Sequence, residues 1–97
     1  MNVKIIAVRF DASEKLQKFV ESKVSKLSHF YDNIMGADVY LRVEVPQQSE
    51  NKLVEIKLDV PGVEFFAKKQ ADSFEEATDL AVEALKNQIQ KHKDKYK

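Results

Sequence analysis

The sequence predicts an α+β fold: a two-layer sandwich in the order β-α-β-β-β-α, with both helices on one face of a four-stranded sheet. Three observations carry this prediction. Four segments alternate apolar and polar residues with a period of two, and two longer segments gather their apolar residues along one side. Each strand therefore has one apolar face and each helix one apolar stripe, which a sheet covered on one side by both helices buries most economically. At 97 residues with 43% apolar content, the chain has material for one core and one domain over residues 1–97.

The first strand is expected over Met1 to Arg9, where Val3, Ile5 and Ala7 share a face. Asp11 and Ser13 are candidate caps for the helix that follows. Its apolar positions Leu16, Val20, Val24, Leu27 and Tyr31 fall on one narrow arc, bordered by Phe19 and Phe30. Asn33 to Asp38, with Gly36, ends the helix and turns the chain. Val39, Leu41, Val43 and Val45 define the second strand, and residues 46–51 a polar loop. Val54, Ile56, Leu58 and Val60 define the third. Pro61-Gly62 makes a tight hairpin into a fourth strand with Val63, Phe65 and Ala67 inward. Ser73 and Glu76 have capping-box spacing, and the second helix presents Phe74, Ala77, Ala81, Leu85, Gln88 and Ile89 on one face.

The formal charge is zero, but the total hides a polarised end. Residues 72–85 hold five acids and no base, whereas residues 86–97 hold five lysines and one acid. The first helix adds Lys15, Lys18 and Lys26 in one arc, with Lys23 at the margin of its apolar stripe. Two readings stand at this point. Acids early and bases late in a helix complement its macrodipole, and a lysine-rich end keeps a chain soluble. Alternatively, Lys91 and Lys95 lie on the side of the second helix that faces the first helix's Lys23 and Lys26. The two sets then bracket a groove for a phosphate backbone.

Catalytic chemistry is poorly supplied. There is no cysteine, no glycine-rich phosphate loop and no nucleophile elbow. His29 and His92 are the only histidines, and neither has partners at metal-ligand spacing. His92 is expected to pack on the apolar face of its helix. The sequence thus implies no enzyme, no metal, no cofactor and no small-molecule substrate. No apolar run is long enough for a membrane span and no signal peptide precedes the first strand, which points to a cytoplasmic, soluble chain. Tyr40 and Phe66 are expected on the sheet face away from the helices, partly shielding it. That face, or a free strand edge, offers an alternative role as a protein-interaction module.

The element order, the segment Leu16 with Phe19-Val20-Glu-Ser-Lys23-Val-Ser-Lys26-Leu27, and the ending Gln88-Ile-Gln-Lys91-His92-Lys93-Asp-Lys95 resemble the ribosome hibernation promoting factor family. That family also goes by ribosome-associated inhibitor or sigma-54 modulation proteins. The resemblance spans essentially the whole chain. It implies an architecture similar to double-stranded RNA-binding domains. It also implies binding to the small ribosomal subunit and its ribosomal RNA near the decoding centre, excluding messenger RNA and tRNA under stress. By motif position it assigns RNA contact to Lys23, Lys26, Lys91 and Lys93, with Lys86 and Lys95 added as helix neighbours. Bases usual in the family are replaced by Ala84 and Asn87 here. The chain resembles the short form of the family, a monomer when free and without a ribosome-dimerising domain.

Overall fold

The computed structural model describes residues 1–95; Tyr96 and Lys97, the last two residues of the predicted lysine-rich ending, lie outside the described residues. The strands are β1 (Asn2–Ala7), β2 (Gly36–Val43), β3 (Lys52–Val60) and β4 (Val63–Ala71), and the helices are α1 (Glu14–Ser25) and α2 (Phe74–Lys95). They follow the predicted order.

The sheet runs β1-β2-β3-β4. β1 is parallel to β2, a pairing that needs a crossover and receives one from α1. The other two pairings are antiparallel. Register aligns Ile5, Val39, Ile56 and Ala67 in one row across the sheet, so the period of two in each strand adds up to a continuous apolar face. Gly62 closes the β3–β4 hairpin at a positive φ of 76°, which favours a residue without Cβ. Gly36 answers a different constraint: a Cβ there would sit 2.9 Å from the Asn2 carbonyl oxygen on β1.

Both helices pack on that apolar face. Val20, Val24 and Leu27 from the first helical segment and Ala77, Ala81 and Leu85 from α2 are completely buried, joined by Val39, Leu41, Val54 and Ile56 of the sheet. Burying each such valine or leucine contributes about 1.5–3 kcal/mol. Of the two candidate caps, Ser13 serves α1: its Oγ accepts from the Leu16 N–H at 3.1 Å. Ser73 caps α2 in the same way, accepting from the Glu76 N–H at 3.1 Å. Phe10 stacks on Phe74 with ring centroids 5.2 Å apart, pinning the start of α2 to the β1–α1 connection.

Four local departures from the sequence expectations have physical causes. The α-helix stops at Ser25 and gives way to a 3-10 turn over Lys26–His29. There the Ser28 hydroxyl donates to the Ser25 carbonyl at 2.8 Å, offering the backbone a tighter alternative to helix. β2 starts at Gly36, inside the expected turn, because the close approach of β1 extends the pairing to that glycine. It ends at Val43, leaving Val45 44% exposed in the loop, where the Asn51 amide donates to the Val45 and Pro46 carbonyls. Leu53, on the supposedly polar sheet face, is 1% exposed and pairs across from Arg42, so that face holds a small apolar spot.

Candidate nucleic-acid interface

The two helices do not touch along their whole length; between them runs an open groove of about 470 Å³. Leu27, Val82 and Phe30 form its apolar floor and wall. Lys23 and Lys26 stand on one rim and Lys86 on the other, with Asp79 and Glu83 interspersed on α2. Lys23 Nζ reaches Asp79 Oδ1 at 3.5 Å across the groove and also lies 5.5 Å from the centre of the Phe19 ring. Lys86 Nζ lies 3.7 Å from Glu83 and 5.0 Å from the centre of the Phe30 ring. These contacts are largely solvent-exposed, where an ion pair contributes about 0–1 kcal/mol, so a stronger anion can recruit either lysine without a large penalty. Three cations against two acids leave the groove with one net positive charge.

A second hollow of about 290 Å³ adjoins the first and is lined by His29, Phe30, Tyr31, Asp32, Asn33 and Lys93, so its one lysine faces one acid. Lys93 Nζ donates to the Phe30 carbonyl at 3.1 Å, which ties the end of α2 to the 3-10 turn. Lys23, Lys26, Lys86 and Lys93 are therefore brought together along one side of the molecule. Lys91 is not. It lies five residues, or about 140°, around α2 from Lys86, on the outer side with Leu80 and Asn87. The expectation that Lys91 and Lys95 face Lys23 and Lys26 is thus corrected: Lys86 and Lys93 take that position. Helical angle groups residues onto sides, but only the seat of α1 against Asp79 and Val82 decides which side is the groove. Sequence reasoning noted Phe30 merely as bordering the apolar arc, and placed Asp79 and Glu83 opposite the core without seeing them in the groove.

The remaining candidates are structural. His92 is half-buried, with its ring edge-on to Phe65 at 5.6 Å and Tyr31 at 5.8 Å, and its Nε2 is 3.4 Å from the Tyr31 hydroxyl. This agrees with a packed histidine. Among the described residues no group of three or more histidine, cysteine or acidic side chains is placed to hold a metal ion. No helix among them is long and apolar enough to cross a membrane. Tyr40 and Phe66 are 40% and 43% exposed on the sheet's outer face. Four of the charges on that face pair with each other: Arg42 lies 3.2 Å from Glu44 and 3.5 Å from Glu55, and Lys68 lies 4.0 Å from Glu55. The β4 edge is occupied at Phe66, where the Gln88 amide accepts from the backbone N–H at 3.2 Å and donates to the carbonyl at 2.7 Å. That side-chain clip competes with an added strand at this position.

Comparison with known proteins agrees with the fold and narrows the family. Residues 3–97 match the model of the family described as sigma 54 modulation protein / S30EA ribosomal protein. The chain is 33% identical over 95 residues to a ribosome hibernation promoting factor of Azotobacter vinelandii, covering 98% of this chain and 85% of that one. It is 31% identical over 97 residues to the ribosome hibernation promoting factor of Escherichia coli K12, covering 100% and 98%. The Bacillus subtilis ribosome hibernation promotion factor, 30% identical over 95 residues, is longer, and this chain spans 50% of it. The structure of a ribosomal subunit interface protein from Coxiella burnetii has the same fold, with a TM-score of 0.83 at 21% identity over 97% of this chain and 99% of that one. The Thermus thermophilus Protein Y N-terminal domain superposes with a TM-score of 0.80 at 25% identity over 95% and 99%. By sequence along nearly its whole length, and by fold, the chain belongs to the sigma 54 modulation protein / S30EA ribosomal protein family.

Proposed function

We propose that this member of a ribosome hibernation family binds the small ribosomal subunit near the decoding centre and blocks messenger RNA and tRNA there, holding translation idle under stress. The family consists of binding proteins rather than enzymes, and the mechanism needs no bond broken. A rigid body seated in the channel excludes the ligands that share it. Affinity comes from lysine ammonium groups neutralising ribosomal RNA phosphates and releasing their counterions. Lys23, Lys26, Lys86 and Lys93 supply one contiguous contact line, and Lys91 and Lys95 extend contact to a neighbouring RNA strand on the outer side of α2. Such contacts position the protein without reading sequence. A ribosome-bound role implies a cytoplasmic protein.

The observation that carries this reading is the groove-side lysine line in a chain whose family match runs from residue 3 to residue 97. Sedimentation of the purified protein with small subunits at low and high salt tests it. Binding at low salt that weakens steeply as salt rises is the expected result. Failure to co-sediment even at low salt overturns it.

A further inference from the structure

We propose that Phe30 is a stacking platform for an unpaired RNA base, supplying contact energy that the lysines cannot. This deepens the ribosomal RNA reading above and rests on it. Phe30 is 41% exposed, although it adjoins the fully buried Leu27. A phenylalanine left this open loses apolar burial that the core, one residue row away, could have provided. Its backbone is held at both ends: its N–H donates to the Leu27 carbonyl at 3.0 Å, and its own carbonyl accepts from Lys93 Nζ at 3.1 Å. The ring is therefore presented by a fixed backbone and does not hang from a loose loop.

Phe30 also lines both hollows at the interface, the groove of about 470 Å³ and the adjoining one of about 290 Å³. Its neighbour His29 lines both as well. The Lys86 ammonium lies over the ring, 5.0 Å from its centre, and Lys93 lines the hollow beyond. A base stacking on that face takes the place of the ammonium and leaves Lys86 to a flanking phosphate. A planar base has an aromatic surface to lie against, and the phosphates on either side of it have a cation within the same two hollows. Three acids line the two hollows, Asp79 and Glu83 the first and Asp32 the second, and they fit this occupant better than they fit a bare phosphate chain. Glu83 and Asp79 repel phosphate but accept hydrogen bonds from the exocyclic amino groups of cytosine, adenine or guanine. Double-stranded RNA keeps its bases stacked inside the helix, so the fitting partner is a single-stranded or bulged nucleotide.

The chain contains no tryptophan, so Phe30→Trp introduces a single indole reporter. Titrated at low salt with a single-stranded oligoribonucleotide, its fluorescence is expected to be quenched. Inorganic polyphosphate, which engages lysines but has no base, is expected to leave it unquenched. No quenching by RNA, or equal quenching by both, overturns the proposal. In parallel, Phe30→Ala is expected to bind small subunits about tenfold more weakly with an unchanged salt slope, because stacking releases no counterions. Circular dichroism checks that the variant is folded. Undiminished binding by Phe30→Ala also overturns the proposal. If the wild-type protein ignores small subunits while the oligonucleotide still quenches Phe30→Trp, the ribosome reading falls and the stacking site stands.

Discussion

The groove side and the outer sheet face carry similar ingredients, exposed aromatics among charged side chains, yet they are wired differently. On the outer face Arg42, Lys68, Glu44 and Glu55 are knit into one exchange of charge around two acids. On the groove side, among the described residues, Lys26 has no ion pair, Lys23 and Lys86 have one each, and Lys93 donates to a neutral carbonyl. A face that neutralises itself has little left for a polyanion. A face with surplus cations beside an apolar hollow does. Equal counts of acids and bases in the chain therefore say nothing about binding until their partners are known.

The largest test of this contrast removes the support beneath the groove. Leu85 is fully buried between α2 and the sheet, and Leu85→Ala is expected to cost about 2–5 kcal/mol in urea unfolding, with loss of ribosome binding as the helices lose their seat. Loss of less than about 1 kcal/mol would mean that the groove is not supported in this way. Next comes the surplus itself. Replacing Lys26, Lys86 and Lys93 together by glutamine is expected to flatten the log–log salt dependence of binding by about two to three units, roughly one per phosphate contact. Circular dichroism should show the fold intact. Retained binding with an unchanged slope would move the interface elsewhere.

Much of the fold was legible because strands and helices announce themselves by period. Val54, Ile56 and Leu58 point inward as their alternation requires, and Ser13 and Ser73 cap where their spacing placed them. What was not legible is what apolar period does not encode. It is silent on the side-chain bonds by which Ser28 tightens the helix after Ser25 and Asn51 holds the Val45 and Pro46 carbonyls in the loop, and on the cover that Leu53 finds on the outer face. The site suffered most from this. The lysines are visible as a cluster, but a helical angle cannot say where a neighbouring helix lies, so the sequence puts Lys91 and Lys95 on the groove side that Lys86 and Lys93 occupy.

The outer position of Lys91 offers a finer test. Lys91→Gln, on the outer side of α2, is expected to change the salt slope by no more than about one unit and to leave the groove-side contribution of Lys26 intact. The two substitutions should therefore act additively. Strong non-additivity in a double-mutant cycle would place both lysines on one RNA strand. The smallest effect belongs to the outer face. Arg42→Gln removes a half-exposed charge network and should cost less than about 1 kcal/mol in unfolding, with ribosome binding unaltered. A marked loss of binding there would revive the sheet face as the working surface.

The most direct measurement is competition. Purified protein is added to small subunits that are either empty or loaded with messenger RNA and tRNA, and bound protein is quantified after sedimentation at low salt. Steric exclusion from the decoding channel predicts binding to empty subunits and its loss in proportion to occupancy. Equal binding to empty and loaded subunits would contradict the account.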